Sequence, residues 1–96
     1  MSQPLAVTCR LVPEGFACEV SVGSDELATH HTVLVSQSDL ERFAPGHYDP
    51  GDLVKASFDY LLEREPREAI LRRFELPVIE RYFPGYEAQI RRQMQR

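Results

Sequence analysis

Two runs of strict alternation flank Pro13-Glu14-Gly15 and leave little freedom in how the start of this chain folds. Residues 5–12 set Leu5, Val7, Cys9 and Leu11 against Ala6, Thr8, Arg10 and Val12. Residues 16–22 set Phe16, Cys18, Val20 and Val22 against Ala17, Glu19 and Ser21. A period of two is the pattern of a half-buried strand. Proline pre-sets φ at the first turn position, and glycine accepts the left-handed conformation of a hairpin bulge. A hairpin is therefore expected. Bringing both apolar rows to one face pairs Leu11 with Phe16, Cys9 with Cys18 and Val7 with Val20.

The facing cysteines admit a redox switch or two small buried thiols. Free cysteine commonly behaves as a buried hydrophobe. The opening Met-Ser-Gln-Pro has neither the basic nor the apolar segment of a signal peptide. Reduced thiols in a cytoplasmic protein are the expectation. Two cysteines are too few for a zinc-type ligand set, and no run of about 18 apolar residues predicts a membrane span.

Gly23-Ser24-Asp25 marks the next turn, and residues 26–35 read as a third strand ending in Val33-Leu34-Val35. Ser36 with Asp39 and Ser38 with Glu41 form overlapping capping boxes that start a helix through Leu40 and Phe43, stopping near Pro45-Gly46. Asp49 suits an N-cap and Pro50 a first helical position. Leu53, Val54, Ser57, Phe58, Leu61 and Leu62 then recur at helical spacing. Pro66 is read as starting a further helix through Ala69, Ile70, Leu71 and Phe74. Pro77 starts another through Val78, Ile79, Tyr82 and Phe83, and Pro84-Gly85 separates a last segment with Tyr86, Ile90 and Met94. Closely spaced prolines impose short helices turned against one another.

The fold class is thus α+β: an N-terminal three-stranded antiparallel meander followed by three to five short C-terminal helices. Ninety-six residues, 43% hydrophobic and 27% charged, suit a single domain over 1–96, with strands about 5–35 and helices about 37–95. That composition excludes wholesale disorder and collagen-like repeats.

The segment Ser57-Phe58-Asp59-Tyr60-Leu61-Leu62-Glu63-Arg64-Glu65-Pro66, with Tyr82-Phe83-Pro84-Gly85-Tyr86-Glu87, resembles a group of small bacterial proteins of uncharacterised function. The similarity runs from His30 to Ile90. It implies a shared fold and no activity, so it carries over no site residue.

Candidate chemistry is sparse. His30 and His31 are neighbours on a strand and point to opposite faces. His47 shares a loop with Asp49 and Asp52, a set that would suit a hard metal or acid–base work, but helix capping already accounts for both aspartates. A Cys9 or Cys18 pair with His31 would need an exposed thiol. Nucleophile elbows, phosphate loops and zinc spacings are absent. No catalytic, cofactor or metal-ligating residue is nominated, and a small enzyme or metal-binding protein using the His47 loop ranks third.

Charge is more informative. The net charge of −4 divides unevenly. Residues 1–63 carry three basic and ten acidic side chains, a balance of −7; residues 64–96 carry eight arginines and five acids, a balance of +3. Tyrosine, phenylalanine and arginine are enriched at interface cores. The expected role is therefore non-catalytic: self-association, as in a homodimer, or binding of a protein partner through Arg72, Arg73, Arg81, Tyr82, Tyr86, Arg91 and Arg92. Acidic and basic halves are complementary enough for two copies to dock, and the sheet edge offers strand addition as another route. The alternative is a nucleic-acid-binding or regulatory protein that uses the arginine-rich C-terminal helices, whose helix, short turn and helix at residues 67–83 suggest a helix-turn-helix. Against it, the segment after Pro77 has Arg81 as its one base-reading cation, and local ion pairs would occupy many of the arginines.

Overall fold

The computed structural model describes residues 3–95. Strands β1 (Leu5–Val12), β2 (Gly15–Val22) and β3 (Thr29–Ser36) form the antiparallel meander. The β1–β2 register pairs Leu11 with Phe16, Cys9 with Cys18 and Val7 with Val20, as the alternation predicts. The connection is a two-residue turn, Pro13-Glu14, without a bulge. Gly15 serves another purpose. Its φ is +144°, and a Cβ there would lie 2.3 Å from the Val35 carbonyl oxygen, so glycine lets the hairpin base lie against β3.

The third strand starts later than its predicted residue 26. The Asp25 carboxylate accepts from the Leu27 amide at 3.0 Å, and the Asp25 carbonyl accepts from the Ala28 amide at 3.1 Å. Those turn bonds delay the ladder until Thr29. Helix α1 (Gln37–Phe43) follows at once. The Ser36 hydroxyl accepts from the Asp39 amide and the Asp39 carboxylate accepts from the Ser36 amide, both at 3.0 Å, which completes one predicted capping box. Helix α2 (Pro50–Leu62) has Asp49 as its N-cap, and Leu53, Val54, Ser57, Phe58 and Leu61 are buried along it.

The predicted helix through residues 69–74 does not form. A short 3₁₀ turn, Arg67–Ala69, leads into strand β4 (Arg73–Glu75), which pairs parallel with β3 and makes the sheet four-stranded, in the order β1-β2-β3-β4. The Thr32 amide donates to the Arg72 carbonyl at 2.8 Å and the Leu76 amide to the Leu34 carbonyl at 3.0 Å. Pairing with the free side of β3 overrides the four-residue spacing of Ile70 and Phe74. Exposed Arg73, buried Phe74, exposed Glu75 and buried Leu76 alternate as strand residues do. Helices α3 (Val78–Tyr82) and α4 (Tyr86–Met94) complete the chain, divided by Pro84-Gly85.

The core lies between the sheet and the helical layer, joining Val20, Val22, Val33 and Val35 to Phe43, Leu53, Phe58, Leu76 and Ile90. Cys9 and Cys18 lie on this inner face and are joined by a disulfide, which corrects the expectation of two free thiols. Their Cα atoms are 4.0 Å apart because the register sets them directly opposite. Among the described residues no helix is long and apolar enough to cross a membrane.

Candidate functional site

The break at Pro66 and the switch to β4 leave a gap in the helical layer. Leu61 at the end of α2, Ile70 and Leu71 before β4, Phe74 on β4, and Ile79 and Tyr82 on α3 surround a half-open apolar groove of about 150 Å³. Glu65 is the one charged side chain in its lining. Two walls remain in water: Leu71 is 47% exposed and Tyr82 is 67% exposed. Arg72 and Arg81, next in sequence to those walls, are both exposed. Large apolar side chains held beside an open concavity are what protein-binding surfaces present.

Histidine 31 positions the Leu71 wall. It is buried on β3, 5.3 Å from the Phe58 ring centroid. Its Nδ1 lies 2.7 Å from the Leu71 carbonyl and its Nε2 lies 2.8 Å from the Thr29 hydroxyl. A carbonyl only accepts, so Nδ1 carries the hydrogen and Nε2 accepts from Thr29. Burial pushes this imidazole below its ordinary range, against the opposing pull of the Leu71 carbonyl. His30 points to the other face, where its ring meets the Ser21 hydroxyl at 3.1 Å.

The seven predicted interface residues separate. Arg72, Arg73, Arg81, Tyr82, Arg91 and Arg92 are exposed. Tyr86 is fully buried and cannot present its ring to a partner, which corrects its assignment. The Ser57 hydroxyl donates to the Leu53 carbonyl at 2.8 Å, so the Tyr86 hydroxyl donates to Ser57, 2.6 Å away. Burial raises the Tyr86 phenol far above its ordinary range. Phe43 and Tyr60 pack on its ring with centroids at 5.3 and 5.4 Å.

The arginines divide as well. Arg73 lies on the outer sheet face, paired in register with Thr32. Arg91 pairs with Glu87 at 3.5 Å along α4. Among the described residues Arg72, Arg73, Arg81 and Arg92 have no carboxylate within 4.0 Å. Several other arginines are spent inside the fold. Arg42 joins α1 to Glu80 of α3 at 2.6 Å and to Glu87 of α4 at 2.5 Å, and Arg67 reaches Asp25 at 3.2 Å. Of these pairs only Arg67–Asp25 sets a cation of the basic half against an acid of the acidic half; Arg42, from the acidic half, takes up two acids of the basic half and leaves its other arginines in excess. A helix-turn-helix over 67–83 has no first helix, since those residues form the 3₁₀ turn and β4.

The His47 loop is structural in its contacts. Nε2 of His47 donates to the Met94 carbonyl, and Asp49 accepts from the Gly51 amide at 2.8 Å. Among the described residues no three His, Cys, Asp or Glu side chains converge on a metal-sized site. Sequence reasoning missed Leu71, which looks like a helix core residue, and Tyr48, an isolated aromatic in a polar loop that is 91% exposed.

Comparison with models of protein families, with curated proteins and with solved structures finds no match for this chain.

Proposed function

We propose that this chain is a non-catalytic interaction protein that takes an apolar side chain of a protein partner into the groove between α2, β4 and α3. The observation that carries the reading is the pair of exposed walls, Leu71 and Tyr82, beside an apolar floor of Phe74 and Ile79. Arg72 and Arg81 favour a partner whose anchoring residue is flanked by carboxylates. The groove is far smaller than the roughly 300–1,000 Å³ of pockets for drug-sized molecules, which favours a single side chain over a free metabolite.

Selection from a displayed peptide library tests this. Peptides with one aromatic residue between acidic ones are expected to emerge, and to lose about tenfold or more in affinity on Leu71→Asp and Tyr82→Ser proteins. Equal binding to those variants, or no enrichment, overturns the reading. Titration with duplex DNA supplies the contrast: binding that depends on Arg72, Arg73, Arg81 and Arg92 but ignores Leu71 supports nucleic-acid recognition instead.

A bacterial, cytoplasmic setting belongs to the same proposal, and there the Cys9–Cys18 bridge seen in the structure would be opened by the glutathione pool, so the pair would be a reducible one and not a permanent staple. Alkylation at the moment of lysis is expected to label both; an unlabelled, bridged pair overturns that setting.

A further inference from the structure

Tyr48 has the greatest exposure of the large hydrophobic side chains among the described residues, at 91%. Its neighbours are both tethered. His47 donates to the Met94 carbonyl at the end of α4, and Asp49 caps α2 through the Gly51 amide. Pro50, next along, is buried. The ring is thus held out in water on a backbone whose ordering cost is already met by folding, the preorganisation that makes an aromatic residue an effective anchor. Asp49 is its neighbour in sequence and Asp52 follows in the first turn of α2, and among the described residues neither has a cation within 4.0 Å.

We infer that the groove takes Tyr48 of a second copy of this chain, so that the protein associates with itself by a knob-in-groove contact. The inference rests on the docking reading above and names its occupant. Size agrees: the groove measures about 150 Å³, and an apolar cavity of about 150 Å³ in another protein accepts one benzene ring. Charge agrees too. The knob is followed in the chain by Asp49 and Asp52, and the groove walls Leu71 and Tyr82 adjoin Arg72 and Arg81, which among the described residues have no carboxylate within 4.0 Å. Glu65, the charged residue of the lining, supplies an acceptor for the phenolic hydroxyl. Knob and groove are different patches, so two copies about a two-fold axis make the contact twice, whereas copies added in one direction form a chain.

Sedimentation velocity from micromolar to millimolar protein tests the contact. The wild-type chain is expected to associate with concentration, more weakly at high salt. Tyr48→Ser abolishes association, and Tyr48→Phe keeps the ring and loses only a few-fold. Leu71→Asp abolishes it from the other side, with Tyr82→Ser as a second groove variant should the first not fold. A mixture of Tyr48→Ser, which keeps the groove, with the groove variant, which keeps the knob, regains association that neither shows alone. A wild-type chain that stays monomeric throughout overturns the inference, as does undiminished association of Tyr48→Ser, which would place the contact elsewhere, such as the β1 edge. Peptide binding at the groove separates the two readings: a monomer whose groove still binds acidic aromatic peptides loses the self-docking and keeps the docking function. A monomer whose groove binds none loses both.

Discussion

Tyr82 and Tyr86 are four residues apart, and they lie on either side of a break in the helical layer. At the α4 end the layer is closed. Tyr86, Ile90 and Met94 recur every four residues, all are buried, and the Tyr86 hydroxyl is satisfied by Ser57. At the α3 end it is open: a helix of five residues buries Ile79 and leaves Tyr82 beside the groove. Pro84-Gly85 makes the difference, because it ends one helical phase at Phe83 and starts another at Tyr86. Neighbours on a continuous helix would share a face at this spacing. Here the same residue type builds the core on one side of the break and a surface on the other.

The comparison breaks most visibly at Tyr86. Tyr86→Ala removes a ring packed on Phe43 and Tyr60 and leaves a cavity, with an expected loss of about 3–5 kcal/mol in urea unfolding. Tyr86→Phe keeps the ring and removes one hydrogen bond, for about 1 kcal/mol. Tyr82→Ser is expected to stay within about 0.5 kcal/mol of wild type, as surface substitutions usually do. Similar losses at both tyrosines would show that the α3 end is as tightly packed as the α4 end.

The disulfide sharpens the contrast from outside the helical layer. Reducing Cys9–Cys18 frees a short loop of the unfolded chain and is expected to lower stability by about 2 kcal/mol. The hairpin is remote in sequence from the groove walls, so peptide binding should be unchanged. A loss of groove binding on reduction would mean that the β1–β2 hairpin, and not only β3, β4 and α3, shapes the open end.

How legible was this division? The hairpin register was readable because alternation and the Pro13-Glu14-Gly15 turn constrain the same eight pairs. Helices α1 and α2 were readable from Ser36, Asp39, Asp49 and Pro50, whose capping chemistry is local. Strand β4 was not, because Arg73–Glu75 spans three residues and owes its form to the free side of β3, which is distant in sequence. The groove followed β4 out of sight. Ile70, Leu71 and Phe74 look like one helical stripe, and only the strand separates buried Ile70 and Phe74 from the exposed wall at Leu71. Tyr86 was misplaced for a related reason: an aromatic residue among arginines looks like an interface until its hydroxyl partner, Ser57, is known.

The smallest effect concerns how the open end is held. His31 ties the Leu71 carbonyl to β3, and its folded pKa lies below the ordinary value. The unfolded chain, with an imidazole pKa of about 6.5, therefore binds a proton at pH values where the folded chain does not. The contribution of His31 to stability is complete above about pH 6.5 and is lost as pH falls through the depressed folded value. Carboxylates with lowered values, such as Glu19 and Glu87, act in the same direction but only from their own lower range, near pH 4.5 and below. The two windows are separable. Thermal unfolding between pH 7 and pH 5 should show a decline in wild type that is flattened in His31→Gln, whose amide can still donate to Leu71. In the same interval, hydrogen exchange is expected to rise at Thr32, whose amide is bonded to the Arg72 carbonyl, before it rises at Tyr86 or Ile90. Uniform exchange at both sites would mean that protonating His31 loosens the whole molecule, and that the open and closed ends respond as one unit.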